Sequence, residues 1–462
     1  MARGKKKETL TSEERLQAAL VPASEQPYPV PENWCWTYIK FGFDVTSSKR
    51  VHKEDWLSQG IPFYRTRELV KLSENGCVDN ELFISEKLYN SFVAEYGVPQ
   101  KGDLLISGVG TIGVPCVINE NQKFYFKDGN IIWFKNRGLF HPKYVYFLYK
   151  STFIDNQIHQ MSSGTTVDTY TIINANATVV PLPPFSEQQR IIDRIESLFA
   201  KLDEAKQKAQ DALDSFETRK AAILHRAFTG ELTAQWRKEH GVGMESWRTV
   251  TFKDACLKIT DGTHHSPVNT PTGEYMYVTA KNIKETGIDL TNITFVSKDV
   301  HDEIYSRCDV QYGDVLYIKD GATTGIAAVN TIEEPFSLLS SVAVLRPDKK
   351  QIVAEYMVYN LNSSKTKTMM INNMSGNAIT RLTLSKIKTA PITVCSLDEQ
   401  NEIVRILDDL LAKEQQAKEA AERVLEQIDL IKKAILARAF RGELGTNDPS
   451  EESAMELLKS VV

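Results

Sequence analysis

The chain is short of several things, and each shortage removes a class of protein. Cysteine is sparse: there are six in 462 residues, no two closer than 39 positions. Without a Cys-x-x-Cys pair there is no zinc ribbon and no thioredoxin-like site. The thiols read as reduced and mostly buried, as in a cytoplasmic protein. Long hydrophobic runs are missing too. The least polar stretch, Leu104 to Ile118, has 15 residues and carries three Gly and a Pro, well short of the ~20 apolar residues a spanning helix needs, so no membrane association is expected. The opening Met-Ala-Arg-Gly-Lys-Lys-Lys-Glu has no apolar segment behind it and does not read as a secretory signal. Neither sign of charge dominates, with 55 Lys+Arg against 60 Asp+Glu and a net charge of −5. The 42% apolar and 25% charged content is that of a soluble globular protein of two to four domains.

Catalytic signatures are equally thin. No G-x-x-x-x-G-K-[ST] occurs, which excludes a nucleotide-driven motor of that type. Gly108-Val-Gly110-Thr-Ile-Gly113 fits G-x-G-x-x-G, but a dinucleotide or AdoMet site needs a helix to open there. The residues after Gly113 are β-branched and interrupted by Pro115, which predicts a tight hairpin. Leu182-Pro-Pro-Phe185 resembles the Asn/Asp-Pro-Pro-Tyr/Phe loop of amino-methyltransferases, yet a leucine cannot accept a hydrogen bond from a target amine. His264-His265 has no Cys nearby and no H-x-x-x-H spacing, so no metal site is expected. The chain reads as non-catalytic.

The dominant feature is a duplication. Ser186–Leu232 and Asp398–Leu444 align without a gap at an offset of 212, with 20 identities over 47 positions. Glu187-Gln188 recurs as Glu399-Gln400, and Ala222-Ile-Leu-x-Arg-Ala-Phe-x-Gly-Glu-Leu232 as its copy ending at Leu444. Fainter echoes flank these blocks: Trp34 with Trp247, Gly102-Asp103 with Gly313-Asp314, Ser163-Gly164 with Ser375-Gly376. Each repeat is a divergent region followed by a near-constant one, and drift alone would have eroded both alike.

The constant blocks are predicted to be long helices. Ile191, Ile195, Leu198, Leu202, Ala205, Ala209, Ala212 and Phe216 step by fours and threes, the apolar seam of a coiled coil. The second block offers Ile403, Leu407, Leu410, Ala417, Ala421, Val424, Ile428, Ile431 and Ile435, broken only by Glu414. Ser186 with Gln189 reads as a capping box, Asp398 as the matching cap, and Gly230 and Gly442 as stops. The simplest partner for each helix is the other, antiparallel. The divergent regions read as mixed α+β domains. In the first, strands are expected at Leu104–Ser107, near 114–119 and 130–134, with a helix from Pro142. The second repeats that order near 314–319, 326–329, 341–345 and 354–361.

Charge by region is +1 for residues 1–185, 0 for 186–240 and for 241–397, and −6 for 398–462. Binding to DNA would therefore need a locally basic face. The candidate contacts are Lys49, Arg50, Arg65, Arg67, Lys123, Lys127, Ser163, Thr165 and Thr166 in the first domain. In the second they are His264, Lys281, Asn282, Lys319, Asn377 and Arg381. These residue types read base edges or grip phosphates.

Two unlike domains alternating with two near-identical heptad helices resemble the specificity subunit of type I restriction–modification enzymes. The likeness rests on Pro181-Leu-Pro-Pro-Phe-Ser-Glu-Gln-Gln-Arg-Ile-Ile192, on the two Ile-Leu-x-x-Ala-Phe-x-Gly-Glu-Leu blocks, on Trp34 and Trp247, and on Asp261-Gly-Thr-His264. It implies an α+β fold: two target recognition domains (28–185 and 241–397) separated by two long antiparallel coiled-coil helices (186–240 and 398–445), in a pseudo-twofold repeat. Residues 1–27 would be an N-terminal extension and 446–462 a C-terminal tail. It further implies that each domain reads one half of a split, asymmetric double-stranded DNA site. Two methyltransferase (modification) subunits and motor–nuclease (restriction) subunits would dock on this chain. AdoMet, ATP and Mg²⁺ would belong to those partners and none to this chain. Two other readings stay open: a self-contained DNA methyltransferase, and a coiled-coil adaptor without DNA specificity.

Overall fold

A computed structural model describes residues 11–120, 122–162, 168–372 and 381–462. Two units divide the chain. One runs to Lys208 and takes in Val424–Val462; the other is Ala209–Arg423. Among the described residues no helix is long and apolar enough to cross a membrane.

The first unit is built on a four-stranded antiparallel sheet in the order Phe43–Thr46, Ile131–Asn136, Leu104–Ser107, Pro115–Val117. All four residues of Leu104–Ser107 are buried, so this central strand is a continuous apolar run rather than an alternating one. A second sheet joins Phe83–Ile84, Ile61–Tyr64 and Tyr125–Phe126, and a two-stranded ribbon pairs Cys35–Tyr38 with Val179–Leu182. The second unit repeats all three. Its four-stranded sheet runs Cys256–Asp261, Val342–Pro347, Val315–Ile318, Ala327–Val329; the three-stranded one runs Thr294–Val296, Tyr275–Val278, Ser337–Leu338; the ribbon pairs Arg248–Thr251 with Pro391–Val394. Gly108–Gly113 is the turn of an antiparallel hairpin, with Gly110 and Gly113 at φ +83 and +78, and no helix opens there.

The constant blocks are helical: Phe185–Asp214 followed by Phe216–Phe228, and Leu397–Ala439. In the first unit Ile191, Ile192 and Ile195 share a core with Leu436, Ala439 and Phe440, and Asp203 meets Lys432 at 2.6 Å. In the second, Leu224 and Ala227 share a core with Ile403 and Leu407, and Arg219 meets Glu414 at 2.8 Å. In both, rising numbers on one helix face falling numbers on the other, so each pair is antiparallel.

Four details differ from the sequence reading. Ser186 does not cap: the helix starts at Phe185, and Ser186 donates to Glu451 at 2.8 Å. Asp398 is not the cap of the second helix, where Ser396 Oγ accepts from the Glu399 N–H. The first block is interrupted at Ser215, whose hydroxyl turns back onto the carbonyls of Asp211 and Ala212, a known way to bend a helix. Val424 leaves the seam, being 39% exposed, as does Ile431 at 42%; Ala417 is exposed as well. Beyond Glu414 the inward positions are instead Lys418, Ala421, Leu425, Ile428, Lys432 and Ile435. The other seam residues, Leu198, Leu202, Phe216 and Leu410 among them, are buried or half-buried. Both stops are glycines with positive φ, Gly230 at +79 and Gly442 at +75. Each lets the next N–H close on a carbonyl one turn back, Glu231 to Arg226 and Glu443 to Arg438, both at 2.9 Å.

Candidate nucleic-acid interface

In each unit the turns at one end of the sheets are knitted together through backbone hydrogen bonds. In the first, Ser47 Oγ donates to the Ile131 carbonyl, Ser48 Oγ to that of Phe126, and Lys127 N–H to that of Tyr64. Gly108 N–H reaches the Asn130 carbonyl and Tyr170 N–H the Gly108 carbonyl. Residues 47–50, 65–68, 108–113, 127–130 and 168–170 thus form one surface. A cleft of about 600 Å³ opens in it, lined by Arg65, Arg67, Lys71, Thr111, Lys127 and Asn130 among others.

The cations there are not equivalent. Glu68 is buried and receives Arg65 Nε at 3.0 Å and Nη2 at 2.7 Å, the Arg65 N–H at 3.0 Å, and Arg67 Nε at 3.0 Å. Burial opposes ionisation of Glu68, but these donors prevail and pull its pKa down to about 2. Arg65 is therefore committed to the turn. Arg67 is half outside and shared between Glu68 at 3.0 Å and Glu81 at 2.6 Å, while Lys71 and Lys127 have no carboxylate in ion-pair range among the described residues. Lys49 lays its ammonium 5.3 Å from the Tyr96 ring and Arg50 sits 3.6 Å from Asp128. Lys123 is not brought to this surface: it precedes the strand that Lys127 follows, and pairs with Glu86 at 3.1 Å. Lys71 was missed in the sequence, although it stands one helical turn after Arg67 in Thr66–Asn75, on the same face.

The second unit assembles the corresponding turns. Thr263 N–H donates to the Leu338 carbonyl, Ser340 N–H to that of Thr263, Lys319 N–H to that of Ser341, and Leu382 N–H to that of Lys319. Gly262 is obligatory: a Cβ there would lie 1.9 Å from the Leu338 carbonyl oxygen. Lys281 and Arg381 are exposed, as is His264, whose ring lies 3.5 Å from Asp261. Arg307, which no sequence signal marks, is half outside and donates to the Asp261 and Gly262 carbonyls and to the Asp261 carboxylate at 3.4 Å.

Two candidates are corrected here. Lys319 is 6% exposed, held between Asp320 at 2.7 Å and Asp261 at 3.5 Å, and its charge is spent inside the turn. Asn282 is buried, with Oδ1 accepting from Thr279 N–H and Oγ and Nδ2 donating to the Asp289 carbonyl. Its burial and these bonds place it in the framework of the turn. Ser163, Thr165, Thr166 and Asn377 lie outside the described residues.

The recurrent motifs serve elsewhere. Trp34 Nε1 donates to Glu187 at 2.7 Å and Trp247 Nε1 to Glu399 at 2.9 Å. Gln188 accepts from the His141 N–H and donates to the Leu139 and Pro183 carbonyls; Gln400 does the same with Val353, Gln351 and Cys395. The shared Trp and Glu-Gln are thus the buried bolt between each domain and its helix. The turns at the sheet ends, by contrast, have diverged. After Ile61–Tyr64 the chain forms the helix Thr66–Asn75; after Tyr275–Val278 it forms the hairpin Ile283–Lys284/Gly287–Ile288.

A framework kept constant twice over, carrying two unlike cationic loop sets, defines a duplicated recognition protein. The sequence profile of the type I restriction modification DNA specificity domain matches residues 43–213 and 244–426, and the chain belongs to that family. It is 25% identical to the EcoBI specificity subunit of Escherichia coli over 426 residues, 88% of this chain and 84% of that one. It is 23% identical to the EcoKI specificity subunit of Escherichia coli over 307 residues, 64% of each chain. Its fold is that of the HsdS subunit from Thermoanaerobacter tengcongensis, with a TM-score of 0.66 at 18% identity, covering 91% of this chain and 100% of that one. A chain from a structural study of complex assembly and conformational transition of the type I R-M system gives 0.62 at 19% identity, covering 90% and 100%.

Proposed function

We propose that this chain is the non-catalytic sequence-recognition subunit of a cytoplasmic type I restriction–modification complex. Each unit reads one half of a split, asymmetric site in double-stranded DNA. Two methyltransferase subunits and the restriction subunits assemble on the chain, and AdoMet, ATP and Mg²⁺ act in those partners. One observation carries the reading: the buried Trp–Glu bolts are the same in both repeats, while the turns at the sheet ends differ in charge and in secondary structure. In the first unit Arg67, Lys71 and Lys127 grip the duplex. In the second, Lys281, Arg307 and Arg381 do so.

The test is to express the chain with its methyltransferase subunit in a host lacking other methylation and to sequence the methylome. A bipartite motif with unlike halves is expected. A single uninterrupted motif, or none beside intact complex, contradicts it. Purified chain that methylates DNA with labelled AdoMet would restore the self-contained methyltransferase. Binding that shows no site preference as salt rises would restore the adaptor.

A further inference from the structure

Lys220 and Lys432 hold the same position in the two constant blocks but do different work. Lys432 pairs with Asp203 of the other helix at 2.6 Å. Lys220, in Phe216–Phe228, pairs with Glu285 of the second unit's divergent region. Glu285 and Thr286 form the two-residue turn of the hairpin Ile283–Lys284/Gly287–Ile288. A second cation, Lys367 of the helix Ser364–Asn372, stands 4.0 Å from the same carboxylate. Its stem lies against Gly325, where a Cβ would come within 2.8 Å of Lys367 Cγ. Gly325 matches Gly113 at the offset of 212, and so belongs to the turn that answers Gly108–Gly113 in the first unit.

The other end of the hairpin adjoins the cationic turns. Lys281 stands two residues before Ile283. The turn from Thr279 to Asn282 is closed by the bonds of Asn282, and the Val278 carbonyl before it accepts from the Leu339 N–H, next to Ser340 and its bond to Thr263. Ile283 is buried in a core with Leu316, Ile318 and Ala328. A short two-stranded hairpin has little stability of its own, so what fixes its tip also fixes the turn at its base. The Lys220, Glu285 and Lys367 side chains are 24%, 30% and 35% exposed, and solvent screens them less than a fully open pair.

We propose that Glu285 is a positioning residue for recognition by the second unit: it latches the hairpin beside Lys281 onto Lys220. A side chain from the constant block of the first repeat then holds a reading element of the second. The inference rests on the proposed role of Lys281 in gripping DNA. It assigns no DNA contact to Glu285, whose charge would repel phosphates.

That repulsion gives the test its direction. The chain is assembled with its methyltransferase subunit, the methylome is sequenced, and affinity is measured for a duplex carrying the motif found. Glu285→Lys replaces a negative charge by a positive one, so charge alone would tighten binding. The latch requires the reverse, because three lysines then meet: binding about threefold weaker, the size of a partly exposed pair, with relaxed letters in one half of the motif. Adding Lys220→Glu restores the pair and the parent charge. It should recover affinity and letters, whereas charge alone would weaken binding. Glu285→Gln, a gentler change at the same tip, should show a smaller loss of the same sign. Intact letters in the other half report a folded complex. Tighter or unchanged binding by Glu285→Lys, a double variant no better than the single, or letters changed in both halves overturns the proposal. A parent complex without a bipartite motif sinks the proposed function and this inference with it; a bipartite motif indifferent to Glu285→Lys sinks the inference alone.

Discussion

Glu187 and Glu399 hold the same position in the two repeats but are neutralised by different chemistry. Glu399 faces a cation, Arg237 at 2.5 Å, besides Thr233 and Trp247. Glu187 is met by neutral donors, Trp34 at 2.7 Å, Asn447 at 2.9 Å and Thr446 at 3.2 Å. Glu399→Ala strands a guanidinium that is 11% exposed, a change that costs about 3–5 kcal/mol. Glu187→Ala leaves only neutral donors without an acceptor, about 1–3 kcal/mol. Urea denaturation of the two variants should rank them in that order; equal losses contradict the assignment. Glu68 gives a pH effect. Its pKa lies near 2 in the folded chain against an ordinary 4.5, so its contribution is complete above that ordinary value and is lost as pH falls toward 2. Glu68→Gln should therefore be less stable than the parent at about pH 6, and the gap should narrow as pH falls below about 4.5 and close only near pH 2. A gap that persists in acid shows that packing rather than charge is responsible. The thiols play no such part. Burial pushes Cys35, Cys256, Cys308 and Cys395 up to about 12, out of reach of thiolate chemistry at neutral pH.

At the scale of the element, the helices were written plainly in the sequence and their register was not. A 4-3 apolar pattern fixes that a helix forms and which side it buries, but it permits a one-position shift wherever a second apolar series runs beside the first. Val424 and Ile431 satisfied the pattern. The structure turns Leu425 and Lys432 inward instead, and the Lys432 ammonium stands 5.1 Å from the Phe199 ring while pairing with Asp203. A long lysine stem can line a seam with its charge at the rim, and no pattern of apolar letters reports it. The shift begins at Glu414, which matches Leu202 in the other repeat and is held by Arg219. Arg219 also donates to the Ala212 carbonyl at 3.2 Å, bridging the interruption at Ser215. Arg219→Leu alone leaves a carboxylate on the seam and should lower stability by about 1 kcal/mol. The pair with Glu414→Leu should recover that loss, because a half-exposed ion pair contributes little against packed leucines. Thermal melts decide this, and a double variant no better than the single contradicts it.

For the whole molecule, the duplication made the domain class and its recurrence legible, since identical residues at one offset need no structure to be seen. Recognition chemistry was only partly legible, because a charge in the sequence does not say whether it is free. Lys319 looked available and is held inside its own turn by Asp320 and Asp261, whereas Lys71 drew no notice, is exposed and has no carboxylate in ion-pair range among the described residues. Trp34 and Trp247 were read as domain markers, and the reason for them, an indole donating to a buried glutamate, appears only in three dimensions. The surviving exposed cations fall into two sets with no member in common. If each set reads its own half-site, damage to one should leave the other half of the recognised sequence untouched. Arg67→Ala with Lys127→Ala should relax or change one half of the methylated motif, and Lys281→Ala with Arg307→Ala the other. A lost base contact costs about 1–3 kcal/mol of discrimination, while a lost phosphate contact weakens binding at every sequence and reduces the salt dependence by about one unit per cation. Methylome sequencing separates these outcomes. Letters changing in one half mark base readers; an intact motif methylated less completely marks phosphate contacts; letters changing in both halves from a single pair of substitutions would mean that the two units do not read independently.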